Sequence, residues 1–213
     1  VGAGRTALAE TLFGIRPTVS GEVRVEDRPV KLSSPGGAIR MGMGFVPEDR
    51  KSQGLFMNMA VRENIMLSAL DTVSRWGFVN SAKADRLAKD EVQKLDIRTP
   101  SLRQRVRNLS GGNQQKVIIA RWLTLKPRVL ILDEPTRGID VGAKAEIHAL
   151  MNQLAQDGVG VLMISSELPE VLGVSDRILV MHEGRVTGEF SRNQATQDEI
   201  MRSATGGRGN HAR

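Results

Sequence analysis

Two short stretches, one after the other, constrain this chain most. Val129-Leu130-Ile131-Leu132 is an unbroken apolar run, and Asp133-Glu134 closes it ahead of Pro135. Such a run, bounded by carboxylates and a proline, reads as a strand buried on both faces. Its carboxyl end is the edge where open α/β sheets bind their ligands. Upstream stands Leu109-Ser110-Gly111-Gly112-Asn113-Gln114-Gln115-Lys116. Ser110 is placed as a helix cap, and the glycines behind it leave the first helical amides uncovered, which makes an anion site. Taken singly, the first stretch also reads as an acidic cap after a strand, and the second as a glycine-capped helix. Their succession is what points to phosphate chemistry.

The chain opens on Val1-Gly2-Ala3-Gly4-Arg5-Thr6. The last residues resemble the tail of the phosphate loop G-x-x-x-x-G-K-[ST], with Arg5 in the Lys place. Gly2, Ala3 and Gly4 let amides converge on phosphate, Thr6 offers a hydroxyl to Mg²⁺, and Arg5 brings a broad fork rather than a compact ammonium. A tight helix-entry turn is the alternative reading of this stretch alone. A chain that starts inside its own ligand loop reads as a fragment lacking the strand before it.

At 213 residues the chain suffices for one sizeable α/β domain with a small insert. There is no Cys, which excludes disulfides and Cys-based metal sites. Its apolar runs are far shorter than the roughly 20 residues a membrane-spanning helix needs. A charge of +6 suits an anionic ligand or simply a basic solvated surface. With only 3% aromatics and no Tyr, platforms for single-stranded nucleic acid are scarce, and no nucleic-acid partner is expected.

Patterning predicts a helix over 6–13, an edge hairpin over 22–32, a short helix from Pro35 to about Met41 and a buried strand over 44–47. A charged loop, 48–54, follows. Helices are expected over 61–70 and 81–95, then 111–125, 143–156, a short one near 169–172, and 196–204. Strands are expected at 129–132, 159–165, 177–182 and 186–190, and a frayed Gly/Arg-rich end at 206–213. Alternating strands and helices argue for a mostly parallel, doubly wound sheet with an antiparallel edge portion. Residues 55–108, with the helix of 109–125, form an inserted helical subdomain.

Together, VGAGRT, PEDRK, LSGGNQQK, LILDEPT and ISSELPE resemble the ATPases of ABC transporters, and among them the C-terminal ATPase domain of the tandem proteins that power ribose, xylose and galactose importers. The resemblance covers nearly the whole chain. It implies a P-loop NTPase-like ABC core, 1–213, that binds ATP and Mg²⁺. It assigns the nucleotide to Gly2, Ala3, Gly4, Arg5, Thr6, Ser110, Gly111, Gly112, Asn113 and Gln114. Asp140 falls in the loop that touches the opposite domain, and Ser166 at the place of the switch His. Glu134 takes the catalytic place; Thr6, Glu48 and Asp133 take the metal side. The implied partners are the N-terminal ATPase domain of the same protein, permease subunits and, indirectly, a periplasmic or extracellular sugar-binding protein, at the cytoplasmic face of the inner membrane.

Three positions depart from a fully active site: Arg5 for Lys, Glu48 for Gln and Ser166 for His. Together they imply a weakened own site beside an intact signature. His148, His182 and His211 fall elsewhere and read as surface or packing residues. Two rival readings are a soluble ABC ATPase of translation or DNA repair, and a regulatory domain that binds ATP without hydrolysing it.

Overall fold

The structure is a computed structural model that describes residues 2–25 and 27–206. Val1 and residues 207–213 lie outside the described residues, and with them the greater part of the expected frayed end and His211. The chain forms two compact units, Val1–Ser34 with Ile164–Arg213, and Pro35–Met163.

The first unit opens with α1 (Arg5–Leu12), which buries Ala9 and ends at the buried Phe13. The expected edge hairpin follows as β1 (Val23–Val25) and β2 (Arg28–Val30), paired antiparallel with Val23 opposite Val30.

The second unit begins with α2 (Pro35–Arg40) and β3 (Met43–Val46), a strand buried throughout. A single turn of π-helix, Arg50–Gly54, occupies the charged loop; the Asp49 carboxylate caps it, accepting from the amides of Lys51 and Ser52. α3 (Val61–Met66) then passes through a 3₁₀ turn, Leu67–Ala69, into the one-turn α4 (Leu70–Val73). The sequence reading has one helix here. The break falls at Leu67–Ala69, where Ser68 is a poorer helix former, and the Thr72 hydroxyl of α4 donates to the Ala69 carbonyl at 2.7 Å. A small hairpin, β4 (Ser74–Arg75) with β5 (Phe78–Val79), stands where polar connection is expected. Its two turn residues, Trp76 and Gly77, both have positive φ, as a two-residue hairpin turn of this hand requires.

α5 (Ser81–Lys94) is capped by the Asn80 side chain. α6 (Gly111–Leu123) is the central element. Val117, Ile118, Ile119 and Ala120 are all fully buried, so this helix is covered on every side. Each such aliphatic side chain contributes about 1.5–3 kcal/mol on burial. β6 (Val129–Asp133) runs parallel to β3, with Phe45 beside Ile131 and Val46 beside Leu132. α7 (Val141–Gln156) and β7 (Gly160–Ile164) complete the unit. The sheet has the order β3-β6-β7, and its buried middle strand is the one the apolar run marks out. α6 and α7 meet at a glycine: a Cβ on Gly112 would lie 2.5 Å from the Ala143 Cβ.

The chain then returns to the first unit with α8 (Leu168–Val174), β8 (Arg177–His182), β9 (Arg185–Ser191) and α9 (Gln197–Ala204). β8 and β9 pair antiparallel. Ile178, Val180, Phe190 and Ile200 make a core that Leu168, Val171 and Leu172 flank. The α/β class, the parallel strands, the antiparallel pairs and the helical segment between β3 and β6 are as the patterning requires. Among the described residues no helix is long and apolar enough to cross a membrane.

Candidate functional site

In the first unit the glycine loop has the geometry its composition demands. Gly2 and Gly4 have φ of 90° and 88°, a region open to glycine at little cost. Gly4 also needs the absence of a side chain, because a Cβ there would stand 3.0 Å from the Gly184 Cα. It is the N-cap of α1 and supplies no side-chain acceptor. The Leu8 amide reaches back to the Gly4 carbonyl at 3.0 Å, so the amides of Arg5, Thr6 and Ala7 precede the first helical acceptor. The positive end of a helix behind two left-handed glycines fits a phosphate group. Ala3 and Thr6 are half-buried in the same turn.

Arg5 has a definite job in this loop. Its guanidinium Nη1 donates to the Ser165 carbonyl at 2.7 Å, so the residue in the Lys place ties the loop to the segment aligned with the switch. Ser165 is buried and shapes that segment: its hydroxyl accepts from the Glu167 amide at 3.0 Å and donates to the buried Glu170 carboxylate. Ser166, beside it, is exposed. His148 and His182 are half-buried.

In the second unit β6 ends on Asp133, which is 1% exposed, and Glu134 follows half-exposed. Glu134 has φ 48°, an uncommon conformation for a residue with a Cβ. This strained residue follows the carboxyl end of a buried strand, the edge at which open α/β sheets bind ligands. The Arg137 amide closes it on the Glu134 carbonyl at 3.1 Å. Ser110 caps α6 from an exposed position: its hydroxyl accepts from the Asn113 amide at 3.4 Å and side-chain nitrogen at 2.9 Å. Gln114 is buried and holds the Leu109 carbonyl at 3.1 Å, which fixes the approach to the helix. Gly111 is packed by the Arg50 guanidinium, the Gly138 carbonyl and Ile139, and Gly112 is buried against Ala143. Asp140 is the N-cap of α7, accepting from Ala143 at 2.9 Å.

Among the described residues, no group of three or more His, Asp or Glu converges as a metal site by itself. Of the residues expected on the metal side, Thr6 lies in the first turn of α1 in the first unit, Asp133 ends β6 in the second, and the Glu48 carboxylate is paired with Arg137.

Three buried or bridging cations escaped the sequence reading. Arg50 donates to the carbonyls of Arg137 at 2.5 Å and Gly138 at 2.8 Å. Arg121 donates to Gly54 and Asn64. Lys116, 6% exposed at its side chain, donates to the Asp96 carbonyl at 3.0 Å and pairs with Glu146 of α7 at 2.9 Å. Only the charge of each is visible in the sequence; the burial of Lys116 and Arg121 follows from α6 being covered on all sides, and Arg50 is placed by its own turn.

The Lys116 hydrogen bond is the main reason the Glu146 carboxyl is held below its ordinary 4.5, with the Lys116 and Arg98 charges adding to it. A depressed folded pKa gives stability that is present above the unfolded value and lost as pH falls through the folded one. Glu146→Gln is therefore expected to destabilise at neutral pH and to converge on wild type below the ordinary glutamate range. Urea midpoints across that range check this; a constant offset at every pH removes the linkage.

Residues 1–137 match the family model described as ABC transporter. The chain is 50% identical over 206 residues to a ribose import ATP-binding protein of Escherichia coli O157:H7, covering 97% of this chain and 41% of that protein. It is 55% identical over 208 residues to one of Rubrobacter xylanophilus, covering 97% and 42%. The chain thus spans well under half the length of these relatives. Among solved structures it is similar to a nucleotide-free ATP-binding cassette from an ABC transporter, with TM-score 0.79 and 20% identity over 95% of this chain and 80% of that one. A dimeric post-hydrolysis cassette bound to ADP and Pi gives TM-score 0.74 and 22% identity, over 89% and 81%. At such identities the likeness is one of fold.

Proposed function

The chain belongs to the ABC transporter ATP-binding family, and from that premise we propose that residues 1–213 act as one nucleotide-binding domain, the C-terminal half of a tandem ATPase that energises import of a monosaccharide. The Ser110-capped, glycine-led start of α6 is the observation that carries this reading. It offers amides and a hydroxyl to an anion, and this chain has a second such place at Gly2–Thr6. In the proposed assembly each serves a different nucleotide. The start of α6 completes the site on the N-terminal domain, and Gly2–Thr6 belongs to this domain's own site.

ATP bound there with Mg²⁺ would supply free energy for closure by its binding and for reopening by its hydrolysis. Asp133 would lie on the metal side, and Glu134 would accept a proton from the attacking water. Arg5 is engaged with Ser165 and Glu48 with Arg137, so neither is poised as the Lys and Gln of a fully active site would be. This favours a weakened own site. The relatives' names support ribose or a related sugar as cargo. Permease subunits and a sugar-binding protein are the partners in this reading, and the cytoplasmic face of the membrane is its place.

The test is Glu134→Gln in the intact protein reconstituted with its permease. We expect sugar uptake to stay within about threefold of wild type, since general-base help matters little at a slow site. A loss of about 100-fold shows that this domain's own site is essential, and an intact protein without ATPase activity overturns the reading as a whole.

A further inference from the structure

Arg50 stands at the junction of three segments. Its own loop is fixed by the Asp49 cap and carries Glu48, which pairs with Arg137. The two Nη atoms of Arg50 take the successive carbonyls of Arg137 and Gly138, at 2.5 and 2.8 Å. Nη2 also lies 3.1 Å from where a Cβ on Gly111 would be, and the Gly138 carbonyl lies 3.2 Å from the same point. One guanidinium thus sits against the start of α6 while gripping the loop that leads to Asp140. A planar fork can hold two neighbouring carbonyls at once, whereas an ammonium is a point donor.

We propose that Arg50 is a positioning residue: it locks the loop from Arg137 to Asp140 against the start of α6, so that Ser110-Gly111-Gly112 and Asp140 present one preset surface to the opposite domain. The inference rests on the assembly proposed above. Arg50 does not meet nucleotide in it. Its effect passes through backbone placement, and preorganised amides at an anion site lose much of their value when they must first be ordered. The ATP first meets the opposite domain's phosphate loop, and the surface held by Arg50 engages on closure. Loss of Arg50 therefore falls on kcat more than on the KM for ATP.

The experiment compares wild type, Arg50→Ala and Arg50→Lys in the intact protein with its permease. ATPase kinetics are read beside amide hydrogen exchange of the peptides covering 136–140 and 129–133. Arg50→Ala is expected to lower kcat about tenfold with KM within about twofold, and to speed exchange in 136–140 about tenfold while 129–133 stays protected. Arg50→Lys keeps the charge and one donor, and is expected to fall between the two. Wild-type kcat with unchanged exchange in Arg50→Ala overturns the proposal. So does full recovery of both readouts in Arg50→Lys, which would leave only a charge effect. Should Arg50→Ala fail to fold, Arg50→Lys decides alone by the same two readouts. A wild-type protein without ATPase activity refutes the proposed assembly, and the exchange arm still decides whether Arg50 holds the loop.

Discussion

Gly111→Asp in the intact protein is expected to cut sugar uptake by about 100-fold or more while leaving the fold in place. A carboxylate at the start of a helix favours the helix dipole, so α6 itself has no reason to melt. The harm is to the anion the helix start would serve: like charge at a desolvated site costs several kcal/mol, and about 2.7 kcal/mol already amounts to 100-fold. Space adds to charge. The new Cβ would meet Arg50 Nη2 at 3.1 Å and Ile139 Cγ2 at 3.2 Å, and the carboxylate would compete for the guanidinium that holds Arg137 and Gly138. Ser110→Ala is a less clean companion, because Ser110 is also the cap of α6, and loss of a cap costs about 1 kcal/mol on its own. Ser110→Asn keeps a capping oxygen without the hydroxyl and separates the two effects. Arg5→Ala should harm uptake less than Gly111→Asp, since Arg5 belongs to the site proposed to be weakened. The comparison is made at equal expression and membrane assembly. Uptake by Gly111→Asp above about a tenth of wild type would remove the anion-facing role of the α6 start, and an equally severe Arg5→Ala would remove the asymmetry.

Much of this arrangement was legible in the sequence for definite reasons. The run from Val129 to Leu132 can only be satisfied by burial on both faces, and it is the middle strand of the sheet. Ser110, Asn80, Asp140 and Thr196 are side chains with strong local preferences for helix starts, and each of them caps one. The hairpin of β4 and β5 was not legible, because Trp76 at a positive φ breaks the usual Asn-Gly or Gly-Gly signature of such turns. Nor were the connections of Arg5, Arg50, Arg121 and Lys116. Hydrophobic period reports which face of a helix is covered; it says nothing of which carbonyl a long cation reaches once the helix is covered on all faces. The roles expected of Glu134 and Asp133 rest on their place after the strand and on the family resemblance, and the left-handed Glu134 is a feature only the backbone could supply.

Arg121→Ala is expected to cost about 3 kcal/mol, among the largest single losses available in the second unit. Arg121 is buried, and burial alone pulls its guanidinium down to about 10, still charged at neutral pH. It donates Nη1 to the Gly54 carbonyl at 2.7 Å, Nε to the Asn64 carbonyl at 2.7 Å and Nη2 to the Asn64 Oδ1 at 3.0 Å. Asn64 Oδ1 retains the Phe56 amide at 2.9 Å when Arg121 is removed, but the two carbonyls lose a charged donor where water has little access. Each orphaned acceptor costs about 1–3 kcal/mol, and the space left by the side chain adds a cavity term. The damage is also placed to matter. Gly54 ends the turn that begins at Arg50, Asn64 lies in α3, and Arg121 belongs to the helix that starts at Gly111, so one residue ties the charged loop and α3 to the helix of the proposed signature. Arg121→Lys should recover little, because one ammonium cannot reach acceptors splayed over two segments. Thermal scans of the intact protein, read through exchange in the peptide covering 111–123, would show the transition falling by about 6–12 °C in Arg121→Ala, at roughly 2–4 °C per kcal/mol. A shift of less than about 2 °C would mean that the carbonyls find other donors and that the buried cation is not what joins these elements.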